Sequence, residues 1–254
     1  RNPARDHRTR NGASLMDELL GPFEQMLASV AGRSVDSVVQ WKAIEESGYL
    51  DALVPEASGG AGLSLSDIEP LIRALGRFAI TAPVAETMAK RALGVDTLER
   101  PLSAILAAAE IAGLAEKILE MSLSYANDRV QFGKPIGKLQ VIQQQLAVMG
   151  EQVLMARMAS QIGCAHGLAP SLEVAAVSKQ VASATVPQIA SIAHAVHGAI
   201  GITEEFDLQR YTRRLHALRL AHGSEGYWAN IVGKARLQSD RQSSVEFILS
   251  LRKS

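Results

Sequence analysis

Apolar residues recur at three- and four-residue spacing through most of the chain, the period of an amphipathic helix rather than the alternation of a strand. "SLMDELLGPFEQMLASVA" and "SVDSVVQWKAIEESGYL" both carry it. The next segment, "LVPEASGGAGLSLSDIEPLIRALGRFA", breaks at Pro55 and at the Gly59, Gly60, Gly62 cluster, which predict a loop. Ser66, followed three residues later by Glu69, predicts a capping box that opens another helix. "APVAETMAKRALG" continues helical to about Gly94, and "VDTLERPL" reads as a short linker around Pro101. A long helix is expected from Ser103 to Asn127 and a second from Leu139 to about Gly167. Ser171 can cap a third that runs to His197 and that Pro187 should kink or break. "EEFDLQRYTRRLHALRL" is a charged amphipathic piece, and "GSEGYWANIVGKARLQ" starts the last helix. No Val/Ile-rich alternating run of strand character occurs. The pattern therefore predicts an all-α protein whose C-terminal half is an antiparallel bundle of long helices.

Composition supports that class. Of the 254 residues 47% are hydrophobic but only 4% aromatic, so the apolar material is mainly Ala, Leu, Ile and Val, suited to helix packing. Charge is balanced, 26 basic against 26 acidic residues, which argues against nucleic acid or an anionic membrane surface as partner. One cysteine, Cys164, excludes an internal disulfide and a cysteine-based metal site, and a reducing cytoplasm is expected. No apolar run approaches the roughly 18 residues of a membrane span. The opening "RNPARDHRTRNGAS" has no hydrophobic segment and is read as a flexible tail over residues 1–15.

Three segments carry residue types suited to chemistry. In "DRVQFGKPIGKLQ", Arg129 is a forked cation suited to phosphate, Phe132 offers a ring face to a planar heterocycle, and Gln131 and Gln140 are neutral hydrogen-bonders. The same residues are also compatible with a plain turn, with Phe132 plugging the core and Arg129 paired to Asp128. In "HAVHGAIGIT", the small Gly198–Gly201 run lets a ligand or another backbone come close, or simply ends a helix. In "LAHGSEGYW", Ser224 opens the final helix, where free backbone N–H groups favour an anion or an ordinary cap. His194 and His197 share a helical face, but no HExxH pattern or carboxylate cluster accompanies them, and no metal is expected.

Taken together, the three segments resemble the acyl-CoA dehydrogenase family. "YANDRVQFGKPIGKLQVIQQQLAVM" and "AVHGAIGITEEFDLQRYTRR" are similar to its C-terminal signatures, and "VPEASGGAG" to its N-terminal one. The resemblance implies an N-terminal helical domain over 16–95, a linker at 96–102 where the family inserts a β-domain, and a four-helix bundle over 103–254. It also implies FAD and an acyl-CoA substrate. Arg129, Gln131, Phe132, Gln140, Gly198, Gly201 and Ser224 would meet the FAD of a homo-oligomer or of a mixed oligomer with a paralogous subunit. The family's catalytic glutamate is replaced in the aligned "AHGSE" by His222, which can accept a proton at neutral pH. The alternative glutamate position falls at Ser103; Glu110 and Glu225 lie near these places without occupying them. Ala195 stands where a glutamine is usual, and Ala199 where a second glycine is. Two functions follow from the resemblance: α,β-dehydrogenation of an acyl-CoA thioester, or a catalytically silent subunit of a mixed oligomer that contributes FAD contacts.

Overall fold

The computed structural model describes residues 18–31 and 37–251; the expected tail over 1–15 lies outside them. Ten α-helices run through the described residues. They are α1 over 18–30, α2 Ser37–Glu46, α3 Leu65–Arg77, α4 Val84–Leu93, α5 Arg100–Asp128, α6 Gln140–Cys164, α7 Leu172–His197, α8 Leu208–Leu220, α9 Glu225–Gln238 and α10 Ser244–Leu251. The protein is all-α. Its only strands among the described residues are β1 Val130–Gln131 and β2 Lys134–Pro135, a two-residue antiparallel pair between α5 and α6.

Several helix ends differ from the sequence expectation, each for a physical reason. α5 begins at Arg100, because Pro101 sits in the first turn, where its missing N–H is no loss. The capping box at α3 is Ser64 with Asp67, not Ser66 with Glu69: Ser64 Oγ accepts from the Asp67 N–H, and Asp67 accepts from the Ser64 N–H. Glu69 is buried instead. It accepts Arg73 Nε at 3.1 Å and Ser160 Oγ at 2.6 Å, tying α3 to α6. Pro187 does not break α7, which is continuous from Leu172 to His197 while packed against α5, α6, α8 and α9. Ser171 caps it as expected, accepting the Val174 N–H.

α5, α6 and α7 pack on one another, and short links reverse the chain between them. The start of α5 (Leu102, Ile105), the end of α6 (Cys164) and the start of α7 (Val174, Ala176) share one apolar cluster. The other ends share a second, with Ile118, Met149 and Ile189. Two short helices fill the fourth side: α8 contributes Leu208, Tyr211, Leu215 and Leu218 to the second cluster, and α9 contributes Trp228 to the first. The break between them, at 221–224, therefore lies partway along the bundle. The first cluster also contains Phe23, Leu27, Ile44 and the buried faces of α3 and α4, so one core joins the N-terminal helices to the bundle. α3 crosses α5 at two glycines. A Cβ on Gly76 would lie 2.1 Å from the Glu110 carbonyl oxygen, and one on Gly113 1.8 Å from that of Arg73.

Candidate functional site

The hairpin after α5 turns through Phe132 (φ 52°) and Gly133 (φ 76°), two successive positive φ values that make a type I′ turn. Glycine or asparagine suits such a place; an aromatic there is strained by about 1–2 kcal/mol. Phe132 is nevertheless held out at 86% exposure, so it plugs no core. Nor is Arg129 paired to Asp128, whose carboxylate accepts from Ser124 Oγ. Gln131 is exposed beside it, and Gln140, the first residue of α6, is exposed too.

The Gly198–Gly201 turn reaches the same end of the bundle. Tyr125, one turn before Arg129, stacks on His197 with ring centroids 4.5 Å apart, and Phe206 closes on both. Gly198 has φ 64° with open space where a Cβ would stand, so a ligand can approach its backbone. Gly201 differs. A Cβ there would lie 3.0 Å from that of His197 and 3.1 Å from Leu208, so the chain's own packing calls for glycine.

Ser224 and His222 belong to a second place, the break between α8 and α9. Fifteen residues of α5, roughly 22 Å of helix, separate Tyr125 from Glu110, which lies on that side. A single chain does not bring Ser224 to the hairpin. Ser224 is the N-cap of α9, with no side-chain capping bond. His222 adopts φ 59°, and its Nε2 lies 3.3 Å from Glu86 Oε1 of α4. Burial, joined by Lys179 and Arg100, holds the imidazole below its ordinary pKa, outweighing the attraction of Glu86. His222 is thus neutral at pH 7. Its Nε2 faces the Glu86 carboxylate at ion-pair distance.

Three groups frame this break that the sequence reading did not assign. Glu86 had no visible signal, because its partner is remote in sequence. Lys179 had one: a lone cation within "VAAVSKQVASA". It is fully buried and donates to the Leu218 and Arg219 carbonyls and to Ser183 Oγ at 2.8, 3.0 and 2.8 Å, holding the end of α8. Arg214 of α8 donates through Nη2 to Glu110 Oε2 at 2.9 Å. Burial drives Glu110 up to about 7 against that arginine, and Glu86 adds to the rise. Glu225 is committed elsewhere: both its oxygens accept from Arg219, which keeps its carboxyl below the ordinary range. Ser103 is buried in α5.

Fold and site together define a helical-bundle protein with an aromatic-and-arginine arm at one end and a histidine–carboxylate pair at a helix break. The chain belongs to the acyl-CoA dehydrogenase family: the profile "Acyl-CoA dehydrogenase, C-terminal domain" matches residues 99–237. "Acyl-CoA dehydrogenase IpdE2" of Mycolicibacterium smegmatis is 34% identical over 179 residues, 70% of this chain and 52% of that protein. The chain thus matches about half the length of that relative. Among solved structures, a variant of the "Tcur3481-Tcur3483 steroid ACAD" superposes with a TM-score of 0.75 at 17% identity, covering 88% of this chain and 98% of that one. The "ChsE4-ChsE5 complex from Mycobacterium tuberculosis" gives 0.73 at 15% identity, covering 89% and 98%. At those identities the likeness is one of fold.

Proposed function

We propose that this chain is a subunit of an FAD-dependent oxidoreductase that introduces an α,β double bond into an acyl-CoA thioester, and that its hairpin arm holds a dinucleotide bound across a subunit boundary. The observation that carries this reading is Phe132, strained and exposed at the tip of a turn that a glycine would form more cheaply, beside an Arg129 with no acidic partner among the described residues. Strain persists where surrounding structure enforces it, and it clusters at ligand clamps. The residues fit the cofactor: Arg129 supplies forked donors to a pyrophosphate, Phe132 a ring face, Gln131 and Gln140 neutral hydrogen bonds, and Gly198 an open backbone. Gly201 serves the fold, and Ser224 would have to meet the cofactor from the other place.

An oligomer follows from the surface of α6. Leu154, Met155, Met158 and Ile162 share one face and remain exposed, an apolar patch suited to a subunit contact. FAD, when bound, supplies the hydride acceptor. His222 takes the α-proton at Nδ1, with Glu86 fixing the ring through Nε2 and stabilising the imidazolium that results. Among the described residues no helix is long and apolar enough to cross a membrane; the lone cysteine suits a cytoplasmic setting.

A second reading, a catalytically silent subunit of a mixed oligomer, is favoured by one observation. His222 stands where the family's glutamate is expected, and the only described strands are the hairpin, so no β-domain lies between α4 and α5. Two solved neighbours that superpose over most of this chain are named as pairs of chains. The visible spectrum of purified protein separates the readings. Flavin on the chain alone, bleached anaerobically by a panel of acyl-CoA thioesters and no longer bleached in His222→Ala, supports the active subunit. Flavin appearing only on co-expression with a paralogous subunit, with bleaching indifferent to His222→Ala, supports the silent one. No flavin under either condition refutes both.

A further inference from the structure

A groove of about 540 Å³ runs along α8, lined by Arg210, Arg213, Arg214, Gln209 and Ala217, with Thr81 from the α3–α4 link and Glu204 at its side. Its size is that of a small-molecule site. The three arginines lie at i, i+3 and i+4, one face of one helix. In a chain whose charges balance overall, one carboxylate faces three guanidinium groups here. The groove's own acid, Glu204, makes no ion pair with any of them among the described residues.

Each arginine stands differently. Arg210 is anchored by Nη2, which donates to the Phe78 carbonyl at 3.2 Å and reaches that of Ala79 at 3.5 Å; neutral acceptors orient the group and leave its charge uncompensated. Arg213 is exposed, with no hydrogen bond or ion pair among the described residues. Arg214 uses Nη2 on Glu110, while its Nε is buried with no partner. Because burial pushes Glu110 up to about 7, that carboxyl is only partly ionised at neutral pH and cancels only part of the Arg214 charge. An exposed guanidinium without a partner among the described residues and one anchored by neutral carbonyls therefore line one cleft beside Arg214. Forked guanidinium donors match a planar carboxylate or a phosphate face bidentately.

We infer that this groove is a subsite for a small oxyanion, a carboxylate or a phosphate, held by Arg213 and Arg210 with Arg214 at its inner wall. The inference rests on the proposed acyl-CoA chemistry only for what carries the anion. Arg214 joins the groove to Glu110, which with Glu86 forms the only electrostatic link from the groove toward the candidate base that the described residues show. On that reading the oxyanion is a carboxylate at the distal end of the acyl group, or a phosphate of the CoA moiety.

The test needs neither flavin nor turnover, so it stands or falls apart from the proposed function. Purified chain is titrated calorimetrically with sodium glutarate, inorganic phosphate and free CoA, in buffer of low ionic strength. At least one should bind, weakening as salt is added. Tighter binding of glutarate assigns the anion to the acyl end; tighter binding of phosphate or CoA assigns it to the nucleotide end. Arg213→Gln should weaken the bound anion at least tenfold without moving the melting temperature, since Arg213 is exposed and makes no hydrogen bond or ion pair among the described residues. No binding of any of the three, or equal binding by the Arg213→Gln protein, overturns the subsite.

Discussion

Replacing Lys179 with methionine removes a buried charge from the middle of the bundle while keeping a side chain of similar length. The ammonium has no carboxylate within ion-pair distance among the described residues; its three acceptors are two carbonyls at the end of α8 and the Ser183 hydroxyl. Burial chiefly, with help from Arg219 and against the pull of Glu225, lowers its pKa from 10.5 to about 8. The folded protein thus gives up the proton more readily than the unfolded chain. Between about pH 8 and 10.5 the unfolded state binds more protons, so the group's contribution to stability rises with pH across that window. At about 1.4 kcal/mol per pH unit of lost proton affinity, the fall from 10.5 to about 8 amounts to about 3 kcal/mol. Below pH 8 the cost of burying the charge is borne in full. In Lys179→Met that cost disappears, but two carbonyls lose their donor, at about 1–3 kcal/mol each. The variant should therefore be about 1–2 kcal/mol less stable than the parent at pH 7, because the two effects nearly offset.

The informative quantity is how that difference moves. Denaturant unfolding of both proteins from pH 7 to 11 should show the parent gaining about 3 kcal/mol over Lys179→Met between pH 8 and 10.5, as every other titrating group cancels in the subtraction. Two parallel pH profiles, within about 0.5 kcal/mol across the window, would refute the reasoning: Lys179 would then titrate as it does in the unfolded chain.

Four further outcomes follow from the geometry. Phe132→Gly relieves the strained turn, so the chain should become about 1 kcal/mol more stable to denaturant while flavin content or flavin affinity falls; loss of stability without loss of flavin would contradict the arm's role. Gly113→Ala places a methyl 1.8 Å from the Arg73 carbonyl oxygen and should cost at least about 3 kcal/mol by thermal or chemical melting, whereas Gly150→Ala, at an open place within α6, should be neutral or stabilising by up to about 1 kcal/mol. Glu110→Gln removes a carboxyl whose folded pKa is raised to about 7; since the folded state holds that proton more tightly, the parent loses stability as pH rises from about 4.5 to 7, and the variant should be spared about 3 kcal/mol of that loss. If bleaching by a thioester is seen, its rate should fall with pH as His222 protonates, with a midpoint below 6.5, and Glu86→Gln should shift that midpoint lower by removing the one partner that favours the imidazolium.

How much of this was legible in the chain depends on the distance over which the deciding contact acts. Helix period and the cap at Ser171 are local, and both were readable. The overlapping pairs in "SLSDIE" show where locality ends: Ser64 with Asp67 and Ser66 with Glu69 offer the same box two residues apart. Only the burial of Glu69 against Arg73 and Ser160 decides between them, and Ser160 lies 91 residues away. Pro187 carried a true local penalty, overruled because Pro187 lies on the exposed face of α7 while α5, α6, α8 and α9 hold the helix along its buried faces. The arm was half legible. Residue types in "RVQFG" raised the expectation of a cofactor-holding arm, but whether Phe132 was buried or displayed was a tertiary fact, and the same letters would have served a core plug. The break at His222 was legible as a substitution and not as a mechanism. Its partner Glu86 sits on α4, and the direction of the imidazole's shift comes from burial set by the meeting of α4, α7 and α8. A reading of the letters alone weighs His222 against Glu110 and Glu225 as rival bases. In the fold Glu225 is paired with Arg219, Glu110 with Arg214, and His222 faces Glu86, and these remote partners are the grounds on which we propose the histidine as the base.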